Sequence, residues 1–315
     1  MPRAVGHFGL SGLRMAGPRT ATLRLALLLA AVMSLATAGR AQAQPIVVRD
    51  DRGTEHRFAA PPQRIVSLLP SLTEGLGVLG VGPRLVGVDR YANWPNEVNA
   101  LPRLGGLDDA QIESIARLKP DLVLASTSAR ALDKLEALGF PVVRLKSDSH
   151  ADVRRTLGLL ARLLGKPDEG ERVWARQEAQ ITAAAARVPP ALRGQRVYFE
   201  LGGGPYAAGT TSFIGETLGR LGLVNIVPPE LGPFPKLNPE FVVRARPELV
   251  MGNAREQAAL LARPGWQAVP AVQQRRLCGF DNATYEMLIR PGPRLGEGAT
   301  VLADCLAKLG PDLPR

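Results

Sequence analysis

The stretch RLKPDLVLAS at residues 117–126 decides the fold, because it returns as RARPELVMGN at residues 244–253. In both copies a proline interrupts the chain before an apolar run that is typical of a buried parallel strand. A second phrase, EGLGVLGV at residues 74–81, precedes the first and returns as ETLGRLGL at residues 216–223. Because both phrases recur in the same order, the sequence predicts two related lobes with a cleft between them.

Apolar runs alternate with amphipathic segments on both sides of this repeat. Strands are predicted at residues 64–69, 85–88, 121–125, 142–145, 196–201, 248–251 and near Leu277. Helices are predicted at residues 108–118, 129–138, 152–165, 167–187, 213–222, 239–245 and 295–309, with another that starts at a Ser71 and Glu74 capping box. The alternation favours parallel sheets, so the predicted fold class is α/β.

The first 43 residues have the features of a secretory signal peptide. They hold five of the 39 basic residues and none of the 29 acidic ones, and they include an apolar run at 25–38 and a small-residue site at 41–43. No cysteine lies near that site, so we expect a soluble periplasmic protein rather than a lipoprotein. Removal of this segment lowers the formal net charge from +10 to +5, an excess too small to suggest a nucleic-acid partner.

The remaining chain is long enough for two lobes of ordinary domain size. We predict an N-terminal α/β lobe at residues 44–166, a connecting helix at 167–190 and a C-terminal α/β lobe at 191–315. Pro167 suits the first position of the connecting helix, and Pro189 with Pro190 ends it. One long helix between two lobes predicts little hinge motion.

The sequence offers little for catalysis or metal binding. Only His56 and His150 lie beyond the signal segment, and no Cys-x-x-Cys, phosphate loop or nucleophile elbow is present. We therefore expect neither an enzyme nor a metal site. Cys278 and Cys305 are either a disulfide, which an exported protein can form, or two buried thiols.

Large polar and aromatic side chains follow the predicted strands of both lobes. The first lobe has 15 more residues between its two repeated phrases than the second, and the excess falls at residues 89–106, after a strand. Ligands of α/β sheets gather at the carboxyl ends of strands, which makes this insertion a candidate binding loop. The predicted ligand residues of the two lobes are Arg90, Tyr91, Trp94, Tyr206, Tyr285, Glu286, Arg290 and Arg294.

The chain resembles the periplasmic binding proteins of cobalamin and ferric-siderophore importers. The resemblance rests on RIVSLLPSLTE at residues 64–74, KPDLV at 119–123 and PKLNPE at 235–240, and it covers nearly all of residues 60–309. It implies two lobes joined by one long helix and a monomer that delivers its ligand to an ABC permease with its ATPase. The ligand it implies is a cobalamin-like corrinoid, carried as cargo rather than as a cofactor.

The resemblance also assigns roles to particular residues. It implies that Glu74 and Glu240 dock on arginines of the permease, although each also suits the first turn of a helix. Tyr91, Glu286 and Arg290 match corrinoid contacts of the family. Two family aromatics are replaced by Leu107 (or Gly106) and by Leu201, which predicts a less aromatic cleft floor.

Two other functions remain open at this point. A ferric-siderophore or heme receptor has the same fold, and heme would take Tyr91 as the better axial ligand. An enzyme on this frame would need a nucleophile and a base, and the sequence shows no such pair.

Overall fold

The computed structural model describes residues 44–202 and 204–309, so the predicted signal peptide lies outside the described residues. The first lobe is a parallel sheet with a small antiparallel hairpin. Its elements are β1 (Ile46–Arg49), β2 (Glu55–Phe58), β3 (Ile65–Ser67), α1 (Pro70–Val78), β4 (Leu85–Val88), α2 (Ile112–Arg117), β5 (Leu122–Ser126), α3 (Asp133–Ala137) and β6 (Val142–Leu145). β3 to β6 pair in the order β4-β3-β5-β6, and β1 pairs with β2.

Two helices follow, α4 (His150–Leu163) and α5 (Glu169–Arg187), and then a second sheet. Its elements are β7 (Arg196–Leu201), β8 (Tyr206–Ala207), α6 (Phe213–Arg220), β9 (Val224–Asn225), α7 (Pro239–Ala245), β10 (Leu249–Asn253), α8 (Gln257–Leu261), α9 (Pro270–Gln273), β11 (Leu277–Phe280), α10 (Asn282–Leu288) and α11 (Leu295–Leu309). Short 3₁₀ turns lie at Gly82–Arg84, Asn96–Ala100, Arg130–Leu132, Pro190–Leu192, Pro229–Leu231 and Trp266–Ala268.

The second sheet repeats the strand order of the first. β9, β7, β10 and β11 are parallel neighbours in that order, and β8 adds an antiparallel pair at the end of β7. The duplicated phrases therefore fold alike, since α1 and β5 of the first lobe correspond to α6 and β10 of the second. This architecture confirms the predicted α/β fold with parallel sheets in two lobes.

The apolar core is continuous between the lobes. One cluster of buried side chains includes Ile65 and Leu124 from the first sheet, Phe199 from the second and Ile181 from α5. Two smaller clusters cover the opposite faces of the sheets, as strand alternation requires. The domain boundaries at residues 166 and 190 stay a prediction, because both sheets share this core.

The connecting helix α5 has 19 residues, or roughly 28 Å at 1.5 Å per residue. It packs against α4 and α11, and Gln177 of α5 accepts a hydrogen bond from the Gly296 amide of α11 (2.9 Å). Cys278 of β11 and Cys305 of α11 form a disulfide, which settles the alternative left by the sequence. In the described part of the chain, no helix has the length and apolar character needed to cross a membrane.

Candidate ligand-binding cleft

A cavity of about 340 Å³ lies between the two lobes, at the carboxyl ends of strands from both sheets. Its lining comes from the ends of β5 and β6 and the N-cap of α1 on one side, and from β7, α6, the loop at Phe234 and the chain after α10 on the other. The lining residues are Leu69, Ser126, Leu145, Ser147, Asp148, Leu201, Phe213, Ile214, Phe234, Ile289 and Pro291. None of the eight predicted ligand residues is among them, and Leu201 is the one residue of the predicted cleft floor that lines this cavity.

The two walls of this cavity differ in polarity. The first lobe contributes Ser126, Ser147 and Asp148, and the Ser147 hydroxyl is buried without a hydrogen-bond partner. The second lobe contributes mainly apolar side chains, among them Phe213 and Phe234, whose rings meet edge to face at 6.0 Å. A buried hydroxyl without a partner is costly, so a polar group of a ligand would stabilise it.

These phenylalanines correct the expectation of a less aromatic floor. Leu201 lines the cavity as expected, but Phe213 and Phe234 supply aromatic surface from elsewhere in the second lobe. Phe213 starts α6 directly after its N-cap Ser212, and Phe234 lies between two prolines. The sequence signal that could have identified this wall is an aromatic residue at the start of a helix or between prolines in a loop.

A first polar contact between the lobes, the His150 bridge, joins the start of α4 to the start of α6. The Asp148 carbonyl accepts from the Phe213 amide (2.6 Å), and the His150 amide donates to the Glu216 carboxylate (2.6 Å). The His150 ring pairs with the Thr217 hydroxyl through Nε2 (2.9 Å). Burial lowers the pKa of the His150 imidazole, although the Glu216 carboxylate opposes this shift.

A second contact, the Arg290 bridge, joins the chain after α10 to the first lobe. Arg290 Nη1 donates to Glu74 Oε1 (3.0 Å) and to Asn93 Oδ1 (2.7 Å). Arg290 Nη2 donates to the Tyr91 carbonyl (3.0 Å) and to Glu286 Oε2 (3.0 Å). Arg290 and Glu286 therefore form an ion pair, and this pair connects the two lobes.

Glu74 lies inside this bridge and not on the surface. Its side chain is 1% exposed, Oε2 has no partner, and burial raises the pKa of the carboxyl although Arg290 acts in the opposite direction. A carboxylate enclosed in this way does not suit the permease-docking role that the resemblance implies for Glu74. The predicted capping box is also wrong, because α1 begins at Pro70 with Leu69 as N-cap and the Ser71 hydroxyl has no partner.

Two predicted aromatic residues are open to solvent. Tyr91 is 63% exposed and Tyr206 is 49% exposed, one on each lobe. The Arg90 guanidinium lies 5.8 Å from the centroid of the Tyr91 ring and forms an ion pair with Asp109. Both rings could contact a ligand without displacing other side chains.

Trp94 and Arg294 pack on each other. The Arg294 guanidinium lies 5.2 Å from the centroid of the Trp94 ring, and its Nε donates to Glu297 (3.0 Å). Trp94 and Pro95 lie against Gly77 of α1, where a methyl group would approach Pro95 to 2.7 Å. The face of Trp94 that Arg294 covers is unavailable to a ligand.

Tyr285 is buried and supports the second lobe, which corrects its predicted contact with the ligand. Its hydroxyl accepts from the Gly202 amide (2.8 Å) and donates to the Glu200 carbonyl (3.2 Å), and its ring stacks on Phe199. Burial raises the pKa of Tyr285 to about 12. The residue holds the loop that leads to Tyr206.

The described residues include no group of three His, Cys, Asp or Glu side chains placed to hold a metal ion. The cleft offers instead an apolar floor, exposed aromatic rings and paired charges, which are features of a binding site for a large organic ligand.

The chain belongs to the periplasmic binding protein family, whose profile matches residues 65–284. It is 27% identical to the ABC transporter substrate-binding lipoprotein YvrC of Bacillus subtilis over 304 residues, which cover 89% of this chain and 95% of that protein. It is also 27% identical to a vitamin B12-binding protein of Pectobacterium atrosepticum, with 79% and 90% coverage.

Among solved structures, the periplasmic heme-binding protein RhuT of Roseiflexus sp. RS-1 superimposes with a TM-score of 0.68 at 29% identity, covering 79% of this chain and 99% of RhuT. The protein is therefore a solute-binding protein of this family, as the sequence motifs predicted. The Bacillus relative is described as a lipoprotein, whereas both cysteines of this chain are bonded to each other.

Proposed function

We propose that the mature protein is a soluble periplasmic receptor that captures a cobalamin-like corrinoid between its lobes and presents it to an ABC permease with its ATPase. The charge balance around the cleft carries this proposal. Four basic side chains there have carboxylate partners: Arg90 with Asp109, Lys146 with Asp148, Arg290 with Glu74 and Glu286, and Arg294 with Glu297. The pairing of these four charges suits a ligand without net charge, and cobalamin is neutral overall.

The shape and polarity of the cleft support the same ligand class. Tyr91 and Tyr206 present exposed rings from opposite lobes, and aromatic rings give large contact area at low entropic cost. The floor adds an apolar wall with Phe213 and a hydroxyl-bearing wall with Ser147. A macrocycle with apolar and amide surface would contact the exposed rings, the apolar wall and the hydroxyl-bearing wall. The protein would bind such a ligand without changing it chemically.

Calorimetry of the protein without residues 1–43 tests this assignment against cyanocobalamin, heme and ferric siderophores. We expect the corrinoid to bind, and its affinity to change by less than about twofold when salt is raised tenfold, because a neutral ligand gains little from screened charges. Tight binding of an iron chelate without heat from the corrinoid would overturn the proposal.

Heme is the second candidate, because a specific feature favours it. Tyr91 and Tyr206 are exposed phenols on opposite lobes, and a tyrosine phenolate can ligate heme iron. Heme carries propionates, so its binding would weaken with salt. A Soret shift on heme addition that Tyr91→Phe or Tyr206→Phe abolishes would favour this ligand over a corrinoid.

For permease docking we propose Glu113 with Glu240, in place of Glu74. Glu113 lies four residues before Arg117, and Glu240 lies four residues before Arg244, so they are equivalent positions of the repeated unit. Both are exposed in the first turns of α2 and α7.

The backbone after these helices repeats as well, which supports the equivalence. Lys119 and Arg246 each precede a proline and have left-handed φ values of 48° and 47°. Such values are uncommon outside glycine, so their recurrence shows that the two helix ends have the same geometry. Each lobe thus presents one exposed acid at the same position of its repeat.

A further inference from the structure

We infer that Arg290 is a positioning residue that fixes the separation of the lobes and the place of Tyr91, and that it does not contact the ligand directly. The inference on affinity rests on the proposed function, whereas the inference on lobe separation does not.

Four of the five N–H groups of Arg290 donate hydrogen bonds within the protein. Each terminal nitrogen of a guanidinium carries two N–H groups, and all four have acceptors here. Nη1 donates to Glu74 and Asn93, and Nη2 donates to the Tyr91 carbonyl and Glu286. The side chain is only 10% exposed, so a ligand that approached Nη1 or Nη2 would have to displace one of these partners.

The acceptors lie on three different elements. Glu74 is on α1, Asn93 and Tyr91 are in the loop after β4, and Glu286 is on α10. Asn93 Nδ2 also donates to Glu286 Oε2 (2.9 Å), and Arg290 donates to Asn93 Oδ1 and to the same Glu286 oxygen, so the three side chains form one connected set. This closed set of hydrogen bonds fixes the distance between the lobes at one edge of the cleft.

Burial of Glu74 makes the bridge hard to open. A carboxylate that is enclosed by protein needs a charged partner, and the nearest one is Arg290. Gly292, two residues after Arg290, reinforces the contact, because the chain there lies against Ser71 of α1. Opening the lobes at this edge would leave Glu74 without its ion pair.

The same bridge holds Tyr91 in place. Asp89 accepts hydrogen bonds from the amides of Tyr91 (2.6 Å) and Ala92 (2.8 Å), and Arg290 holds the Tyr91 carbonyl from the opposite lobe. The backbone of Tyr91 is therefore fixed on both sides while its ring remains exposed. A ring held in this way loses little entropy when a ligand binds.

The first experiment measures lobe separation without any ligand. Spin labels at Leu138→Cys and Val224→Cys, both exposed and in different lobes, report the interlobe distance by pulsed electron resonance. We expect a narrow distribution of distances in the parent and a broad one in Arg290→Met.

The single variant leaves Glu74 buried without its charged partner. The double variant Arg290→Met with Glu74→Met removes both charges and should broaden the distribution of distances too. The exposed Arg255→Met is the matched control.

The second experiment measures cyanocobalamin affinity in a double-mutant cycle. Arg290→Met should weaken binding about tenfold when Tyr91 is present and less than about twofold in a Tyr91→Ala background, because it acts through Tyr91. Equal losses in both backgrounds, or a distance distribution that Arg290→Met leaves narrow, would overturn the inference. If the parent binds no corrinoid, the proposed ligand is wrong, and the distance measurement still decides whether Arg290 holds the lobes.

Discussion

His150 lies at the junction of the two lobes, where folding shields its imidazole from water. Burial lowers its pKa below the usual 6.5, although Glu216 partly compensates. The unfolded chain therefore takes up a proton at higher pH than the folded one. Stability from the neutral ring is complete above about pH 6.5 and declines as the pH falls below it, by about 1.4 kcal/mol for each unit of the shift.

We predict that His150→Gln reduces this sensitivity to acid, because a glutamine amide carries no charge at any of these pH values. Thermal unfolding at pH 7.5 and pH 5.5 tests the prediction: the melting temperature of the parent should fall more between them than that of the variant. Each protein is compared with itself at the two pH values. The stability lost with the Thr217 hydrogen bond is the same at both, so it does not affect the difference. Equal falls would contradict the prediction.

Glu74 and Tyr285 show where residue patterns were insufficient. Each has a side chain suited to a surface role, and each lies among residues that folding brings from far away in the chain. Arg290, which pairs with Glu74, is 216 positions away, and Gly202, which donates to Tyr285, is 83 positions away. Burial of this kind depends on partners that no local pattern contains.

At the scale of elements, the crossing of α4 and α5 depends on glycine. A methyl group at Gly170 would lie 2.7 Å from the Cα of Gly158 and 2.8 Å from the Leu157 carbonyl oxygen, which is closer than such atoms can approach. The helices meet at this point by their backbones, and the close contact sets the position of the connecting helix.

We predict that Gly170→Ala lowers the free energy of unfolding by about 1–3 kcal/mol, because the helices must separate. Gly219→Ala in α6 is the matched control: its site is open, so alanine should stabilise the helix by about 0.5–1 kcal/mol. Urea unfolding of the two variants measures both effects. A Gly170→Ala variant as stable as the parent would contradict the close crossing.

The disulfide ties β11 to α11 across 27 positions of sequence. Replacing both cysteines by alanine should lower the free energy of unfolding by about 3–4 kcal/mol, since the unfolded chain regains the entropy of that loop. The comparison with reductant supplies the control: dithiothreitol should lower the melting temperature of the parent and leave the variant unchanged. A parent insensitive to reductant under unfolding conditions would contradict this prediction.

For the whole molecule, the proposed function requires that both lobes face a permease at once. We predict that Glu113→Ala with Glu240→Ala abolishes ligand uptake by cells and leaves ligand affinity unchanged, because both acids are exposed outside the cleft. Uptake of labelled ligand and calorimetry measure the two quantities. The matched control is Glu97→Ala with Glu230→Ala, exposed acids of the two lobes outside α2 and α7. Normal uptake by the Glu113 and Glu240 variant would remove the docking assignment.

Much of the fold could be predicted because its signals are local. The strand at 142–145 and the start of α7 at Pro239 were predicted at their observed positions, since apolar runs and prolines act within a few residues. The short strands β8 and β9 were missed, because two residues carry no periodicity. Tyr91 and Tyr206 were predicted as ligand residues and are exposed in the structure. Ser147 and Phe213 line the cavity, but no sequence pattern predicted this position.

The sequence by itself determined the duplicated α/β plan, the positions of the central strands and the family, because these follow from periodicity and from repeated motifs. Only the tertiary structure decided which charges are buried and which side chains face the cleft. It placed Glu74 under Arg290, enclosed Tyr285 and brought Phe213 and Phe234 to the floor. The physical reason is that burial and pairing are properties of contacts between distant segments, and such contacts exist only once the lobes have packed.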